Sequence, residues 1–457
     1  MSEADVTEQN RAEQHRAEQH RRAAQTAEEA TEWRDAIQEY EACLSIVGQS
    51  PEDAGQDEVA LLTRLGRCYW NLAEARTAWR TLRRAISLAK ERNDGVAQAR
   101  ATVEILQIWG PPERHKMMAE EALAALGEGD AYLKARLLLD LAQHERDDQA
   151  IYNSALAIAE EHGFEDILAS RIQQKAWKLF EQGNIEESLK LFDEAHLAYA
   201  GQKVHHVASG MLRGAGFNML EIGRLDEGYR LAERAFEYAA NVNLLFNAQL
   251  ALMDMIGVAF VRGEFERCEE LLASSPGDSD FRADCYRMWI AEARGDVDTA
   301  LRLMVDPERG GKSPTAVGQI HVSSAGVLYN AGKHDVAQQA LNAWKDVERG
   351  SDSEPYWMEA PAALECILAL ADDDLLRRIY EAFQHRDEQV RTPARYSTLQ
   401  GRAVAPLRAG ICLKLGLADE AKRHYREGLA WCEQERCADA AERCRVGLAQ
   451  TEAAGAS

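Results

Sequence analysis

Apolar residues along this chain recur at intervals of three and four, as in Leu189 with Phe192 and in Leu231, Ala235 and Tyr238. That spacing gathers apolar side chains on one face of a helix. No segment shows the alternation of Val, Ile, Thr and aromatics that marks a strand. Prolines fall where helices start or stop, for example Pro51, Pro111, Pro112, Pro276, Pro307, Pro314, Pro355 and Pro393. The pattern predicts an all-α chain of about twenty-odd helices of ten to twenty residues joined by short turns.

The turns repeat. Six share one grammar, a Gly followed by a polar start, a small residue and a bulky one four positions later: QGNIEESLKLF at Gly183, IGRLDEGYRLA at Gly223, RGEFERCEELL at Gly263, RGDVDTALRLM at Gly295, AGKHDVAQQAL at Gly332 and LGLADEAKRHY at Gly416. A Gly ends the first helix in a left-handed conformation without steric cost. The small residue (Ser188, Gly228, Ala300, Ala337, Ala421) lets two helices approach, and the bulky one (Phe192, Leu272, Leu341, Tyr425) fills the contact. Two earlier units lack the Gly turn but keep the pattern, with Trp33, Ala36, Tyr40 and Cys43 in one and Leu62, Leu65, Gly66, Tyr69, Ala78, Leu82 and Ala85 in the other.

The second of these units resembles a tetratricopeptide repeat almost position by position, with Leu62 where the family opens on Trp and no closing Pro. The resemblance spans roughly residues 30 to 450 and implies a right-handed α-solenoid of about nine to eleven helix-turn-helix repeats with a period near 34–42 residues. Gly183, Gly223 and Gly263 stand about forty residues apart, which implies helices longer than the usual repeat has. The segment from Pro111, PPERHKMMAEEALAALGEGDAYLKARLLLDLA, resembles the helical sensor region of maltose-type and LuxR-type bacterial regulators. Those carry an NTPase module and an output domain, so this chain reads as the repeat half alone, or as a relative acting in trans.

The domain layout expected is a polar helical arm over residues 1–28, frayed or flexible, a solenoid over 29–450, and a disordered tail over 451–457. The arm contains the tandem RAEQHRAEQH with no apolar stripe, and His15 and His20 lie five apart, off a common helix face.

Composition narrows the function. Lys plus Arg is 53 against 76 Asp plus Glu, a formal net charge of -23, with no basic block. Direct nucleic-acid binding is therefore not expected. No apolar leader and no uninterrupted apolar span is seen; the nearest, from Leu244, carries Asn247, Gln249 and Asp254. No membrane association and a cytoplasmic, reducing location are expected. Arg outnumbers Lys, as GC-rich bacterial genomes produce. The cysteines number 9, an odd and scattered set read as small core residues, and Cys432, Cys437 and Cys444 lack the two-residue gaps of a zinc knuckle. Neither a metal nor a cofactor is expected. Gly310-Gly311-Lys312-Ser313 imitates the end of a phosphate loop, but Asp306 stands where its first Gly belongs. His205 and His206 are adjacent and point about 100° apart on a helix. With no HExxH, GxSxG or paired CxxC motif, the chain is not read as an enzyme.

What remains is a binding surface. In the family register, the first helix of each repeat places Gln173, Trp177 and Phe180; Arg213 and Phe217; Met253 and Phe260; Arg282, Tyr286 and Trp289; and Gln319 and Tyr329 on the concave face, where aromatics and planar donors suit a partner. The competing reading is that these rings pack between helices. The same register brings out Arg64, Arg67 and Asn71, which resembles the clamp some of these repeats use for a terminal carboxylate. The expected function is a non-catalytic scaffold or regulator that binds another protein or peptide. The alternative is a sensor holding an oligosaccharide or signalling peptide inside the superhelix. Whether two copies pair is not readable from the sequence.

Overall fold

The computed structural model describes residues 3–47, 55–108, 112–144, 149–275, 281–310, 314–347, 360–389, 398–399 and 402–455. The phosphate-loop-like residues Gly311, Lys312 and Ser313 lie outside them.

The chain divides into two compact units, the first of Met1–Ile172, Leu197–Val207 and Tyr238–Phe246, the second of Gln173–His196, Ala208–Glu237 and Asn247–Ser457. The first unit contains α1 (Glu3–Glu29), α2 (Trp33–Val47), α3 (Gly55–Asn71), α4 (Ala75–Glu91), α5 (Gly95–Leu106), α6 (Pro112–Leu126), α7 (Ala131–His144), α8 (Gln149–His162) and α9 (Glu165–Leu168). Most of α10 (Ser170–Glu181), α11 (Ile185–Gly201), α12 (His205–Glu221), α13 (Leu225–Asn241) and α14 (Leu245–Val261) belongs to the second. That unit continues with α15 (Phe265–Ala273), α16 (Phe281–Ala293), α17 (Val297–Arg302), α18 (Pro314–Asn330), α19 (His334–Asp346), α20 (Leu364–Leu370), α21 (Asp373–Gln389), α22 (Val404–Lys414), α23 (Ala418–Gln434) and α24 (Ala438–Gly455).

Consecutive helices pair as antiparallel hairpins, and first helices also touch one another: α5 packs on α3 and α7, α18 on α16 and α20, and α22 on α20 and α24. Within each unit this is a stack of helix-turn-helix repeats. The one departure from helix among the described residues is a two-residue antiparallel ladder, Thr398 opposite Ala403 and Leu399 opposite Arg402.

All six glycine turns form as expected, with positive φ at Gly183, Gly223, Gly263, Gly295, Gly332 and Gly416. Each closes with the same pair of bonds; at Gly183 its own N–H reaches Phe180 O and that of Asn184 reaches Leu179 O, the double bond that satisfies a helix's last carbonyls. The same turn forms without glycine at Thr31, Ala73, Asn93, Lys203, Asn243 and Arg436. The close approach read at Gly66 is real: a Cβ there would lie 2.5 Å from Leu82 Cγ.

Each unit is closed by contacts between distant turns. In the first, Trp33 Nε1 donates to Val242 O at 3.3 Å across 209 residues, and Asn243 Nδ2 donates to Thr31 O at 3.1 Å. In the second, Trp431 Nε1 donates to Gly223 O at 2.9 Å across 208 residues, and Arg262 Nε donates to Glu435 O at 3.1 Å.

Both ends of the described chain are helical. The polar α1 pairs with α2, burying Ala24, Ala27 and Glu28; alanines give a close approach where no bulky stripe exists. At the other end α24 continues to Gly455 through most of the expected tail, with Thr451 buried and its hydroxyl on Gly447 O at 2.7 Å. No helix among the described residues is long and apolar enough to cross a membrane.

Candidate functional site

In the first unit, Arg64 and Arg67 lie one turn apart on α3 and converge on a carboxylate belonging to the chain itself. Arg64 Nη1 donates to Glu28 Oε2 at 2.9 Å, Arg67 Nη2 pairs with Glu28 Oε1, and Tyr40 OH donates to Glu28 Oε2 at 2.6 Å. Of the three residues read as a candidate clamp, these two meet the end of α1. Asn71 does not join; it is buried beside the turn into α4.

From Arg67 the polar line continues across neighbouring helices. Arg67 Nη1 reaches Glu104 Oε1 on α5 at 3.4 Å. On α7, Tyr132, Arg136 and Asp140 follow one another at helical spacing on one face. Tyr132 OH donates to Asp166 Oδ2 at 2.8 Å, while Arg136 and Asp140, 7 % exposed each, approach only to 4.0 Å. Arg136 Nε and Asp140 Oδ2 are buried without a hydrogen-bond partner. Burial foremost pushes the Asp140 carboxyl up to about 6; Arg136 opposes this and Glu104 adds to it. His206 sits against Gln107 Oε1 at 2.9 Å, and burial, then Arg136 and Arg67, holds its pKa down to about 3. It is neutral at ordinary pH. His205 turns instead to Tyr238 OH at 2.8 Å, so the two histidines diverge as their adjacency requires.

In the second unit the residues expected to line a groove divide by burial. Phe180, Met253, Phe260, Tyr286, Trp289 and Gln319 are buried. Phe260, Tyr286 and Trp289 form one aromatic cluster, with Tyr286 edge-on to Trp289 at 5.1 Å. Met253, Phe260, Tyr286 and Trp289 share one buried apolar cluster with Leu271, Leu272 and Leu328. Gln173, Trp177, Arg213, Phe217, Arg282 and Tyr329 stay partly exposed. Trp177 lies edge-on to Phe192 at 5.0 Å and against Gly214, and Tyr329 stacks on His334 at 4.7 Å within its own hairpin. Arg213 is bound across to α14: Nε to Asp254 Oδ2 at 2.8 Å and Nη2 to Oδ1 at 3.3 Å. Burial raises the Asp254 pKa, with Arg213 and Arg282 opposing.

A cleft of ≈ 870 Å³ in the same unit is lined by Asp226, Tyr229, Arg262, Arg267 and Arg436 among others. Several of its charges bind one another: Asp226 takes Arg262 at 2.7 Å and Arg436 at 3.0 Å, and Arg267 takes Glu270 at 3.0 Å. Among the described residues one group has the atoms to hold a metal ion, Cys412, Glu420 and His424.

Sequence reasoning missed Glu28, Glu104, Arg136, Asp140, Asp254 and this last group. A signal existed. Many inter-helix polar pairs join residues one repeat apart: Arg67 with Glu28 at 39, Arg213 with Asp254 at 41, Arg224 with Glu186 at 38, and Tyr380 with Glu420 at 40. Opposite charges offset by the repeat period could have been sought directly.

No protein-family model matches this chain, and no curated protein matches it. Solved structures do. The TPR2AB-domain:pHSP90 complex of yeast Sti1 is 14% identical and covers 63% of this chain and 98% of that one, with a TM-score of 0.24. A Rap protein complexed with competence and sporulation factor is 10% identical over 87% and 98%, with a TM-score of 0.38. Yeast Tom70 is 12% identical over 95% and 96%, with a TM-score of 0.31.

Proposed function

We propose that this chain is a binding scaffold that holds an extended peptide or protein segment along the first helices of the hairpins in its first unit. The observation that carries the reading is the pair Arg136 Nε and Asp140 Oδ2, both buried and both without partners. Leaving such a group unsatisfied costs about 1–3 kcal/mol each, more for charged groups. A peptide backbone, with its regularly spaced N–H and C=O groups, supplies an acceptor for one and a donor for the other. Arg64, Arg67, Tyr132 and Glu104 border the same line, each bonded to an opposite group of the chain itself. The partly exposed Trp177, Arg213, Phe217 and Arg282 offer the corresponding contacts in the second unit.

A small polar molecule is the second reading. It is favoured by the depth of Arg136 and Asp140, which a compact ligand reaches with less rearrangement than a chain does.

The test is selection of random peptides on the full-length protein, with a thermal-shift screen of polar metabolites in parallel. Enriched peptides that lose binding on Arg136→Met support the scaffold. A metabolite that stabilises the native chain but not Arg136→Met supports the second reading. Peptides that bind Arg136→Met as well as the native chain would remove this face from the argument.

A further inference from the structure

We propose that Cys412, Glu420 and His424 form a zinc site with three protein ligands and one open position. The three residues lie where the hairpin α22–α23 closes. Cys412 is in the last turn of α22, and its carbonyl accepts the N–H of Leu417 at 2.8 Å, so the turn around Gly416 holds it in place. Glu420 and His424 follow four apart on α23, hence on the face that looks toward Cys412. Their ligand atoms all lie within 4.8 Å of one another.

In a tetrahedral zinc site, Zn–S near 2.3 Å and Zn–N or Zn–O near 2.0–2.2 Å place neighbouring ligand atoms roughly 3.5 Å apart. A contraction of about 1 Å closes the group. Glu420, only partly buried, can supply it by rotating, while Cys412 and His424 are fully enclosed. One thiolate, one imidazole and one carboxylate are a mixed soft and hard set, which suits zinc better than calcium or magnesium.

Two surrounding features fit. Tyr380 OH on α21 donates to Glu420 Oε2 at 2.9 Å, leaving Oε1 for the ion and fixing the carboxylate's orientation, as outer hydrogen bonds do at metal sites. Binding a dication there would release the Cys412 thiol proton to solvent. Zinc with one thiolate and one carboxylate is electrically neutral, so the site adds no net charge beside Arg408. Three protein ligands leave the fourth tetrahedral position to water.

The experiment is titration of the full-length, metal-stripped protein with cobalt as a spectroscopic stand-in, followed by zinc displacement. The expected result is one equivalent per chain, four-coordinate visible bands, and a near-ultraviolet charge-transfer band of the strength that one thiolate gives. Cys412→Ser should abolish that band. Glu420→Gln, which keeps the shape and removes the charge, should weaken zinc affinity at least 10-fold. Cys444→Ser, in the neighbouring helix, should leave binding unchanged. No stoichiometric binding, a band of two- or three-thiolate strength, or binding that survives Cys412→Ser would each overturn the proposal. The band's strength is read on the unmutated protein, so the test holds even where a variant misfolds.

Discussion

The two units each set an arginine beside an aspartate, and they do so in opposite ways. In the second unit Arg213 reaches from α12 to Asp254 on α14, and two parallel bonds form. In the first, Arg136 and Asp140 share α7, four residues apart, and stand at 4.0 Å with an unpaired atom on each. The geometry explains the difference. Arg136 and Asp140 leave the same helix one turn apart, and their charged ends stop at 4.0 Å. Arg213 and Asp254 leave neighbouring hairpins and meet in two bonds. A pair across hairpins therefore ties repeats together, and a pair along one helix leaves hydrogen-bonding capacity over.

The largest expected effect tests that contrast. Asp254→Ala leaves the Arg213 guanidinium without its bidentate partner and should cost about 3 kcal/mol, the low end for a broken ion pair because Arg213 keeps part of its side chain in solvent. Replacing Arg136 and Asp140 together by Met and Leu should be neutral or stabilising by about 1–4 kcal/mol, because the pair repays little of its desolvation. Urea midpoints at unchanged m-value read both. If the double replacement costs as much as Asp254→Ala, the two pairs are equivalent and the contrast fails.

The aromatic residues give a second comparison of similar size. Trp289 is 1 % exposed within the Phe260–Tyr286 cluster, so Trp289→Ala should cost about 3–5 kcal/mol by urea unfolding. Trp177 keeps part of its ring in solvent, and Trp177→Ala should cost visibly less. Equal losses would place Trp177 in the core and withdraw it from the binding face.

A pH measurement sharpens the first-unit side. The Asp140 carboxyl rises from 3.8 to about 6, mainly through burial. The folded state then holds its proton more tightly than the unfolded state does. Its contribution is fully present below about pH 4 and is lost as pH rises through 6. Other carboxylates, such as Asp226 beside Arg262 and Glu269 beside Arg294, are shifted down and trend the other way. The informative quantity is the difference between native and Asp140→Asn. Urea midpoints at pH 4.5 and 7.5 should show the native chain losing more stability, relative to the variant, at the higher pH. A difference independent of pH would mean that Asp140 titrates normally.

These comparisons also show what could be read in advance. The turns were legible because their information is local: Gly416, the small Ala421 and the bulky Tyr425 lie within ten residues. The alternative packing of the rings was stated, and Tyr286 and Trp289 realise it. Residues that act through neighbours one repeat away were not legible residue by residue. Asp254 looked like a flaw in an apolar helix, although a lone acid in such a helix is itself a sign of a buried partner. Arg64 and Arg67 meet a carboxylate of the chain itself, and nothing local could show that Glu28 would supply it. Cys412 and His424 were hidden because their spacing is set by a helix turn and not by a short loop.

The smallest expected effect separates the units at their turns. Ala73 in the first unit adopts φ 64, where a Cβ is strained, and nothing is gained from it there. Ala73→Gly should stabilise by about 1 kcal/mol or less, the strain relieved being partly offset by the entropy glycine loses. Gly263 in the second unit has φ 76 with open space around it, so Gly263→Ala should cost about 1–2 kcal/mol from the backbone alone. Gly223 has nearly the same φ of 79, but a Cβ there would stand 2.4 Å from Trp431 Nε1. Gly223→Ala must therefore disturb the indole's 2.9 Å bond to the Gly223 carbonyl as well, and should lower the melting midpoint more than Gly263→Ala does. Equal shifts at the two glycines would mean that the Trp431 contact does not hold this unit closed.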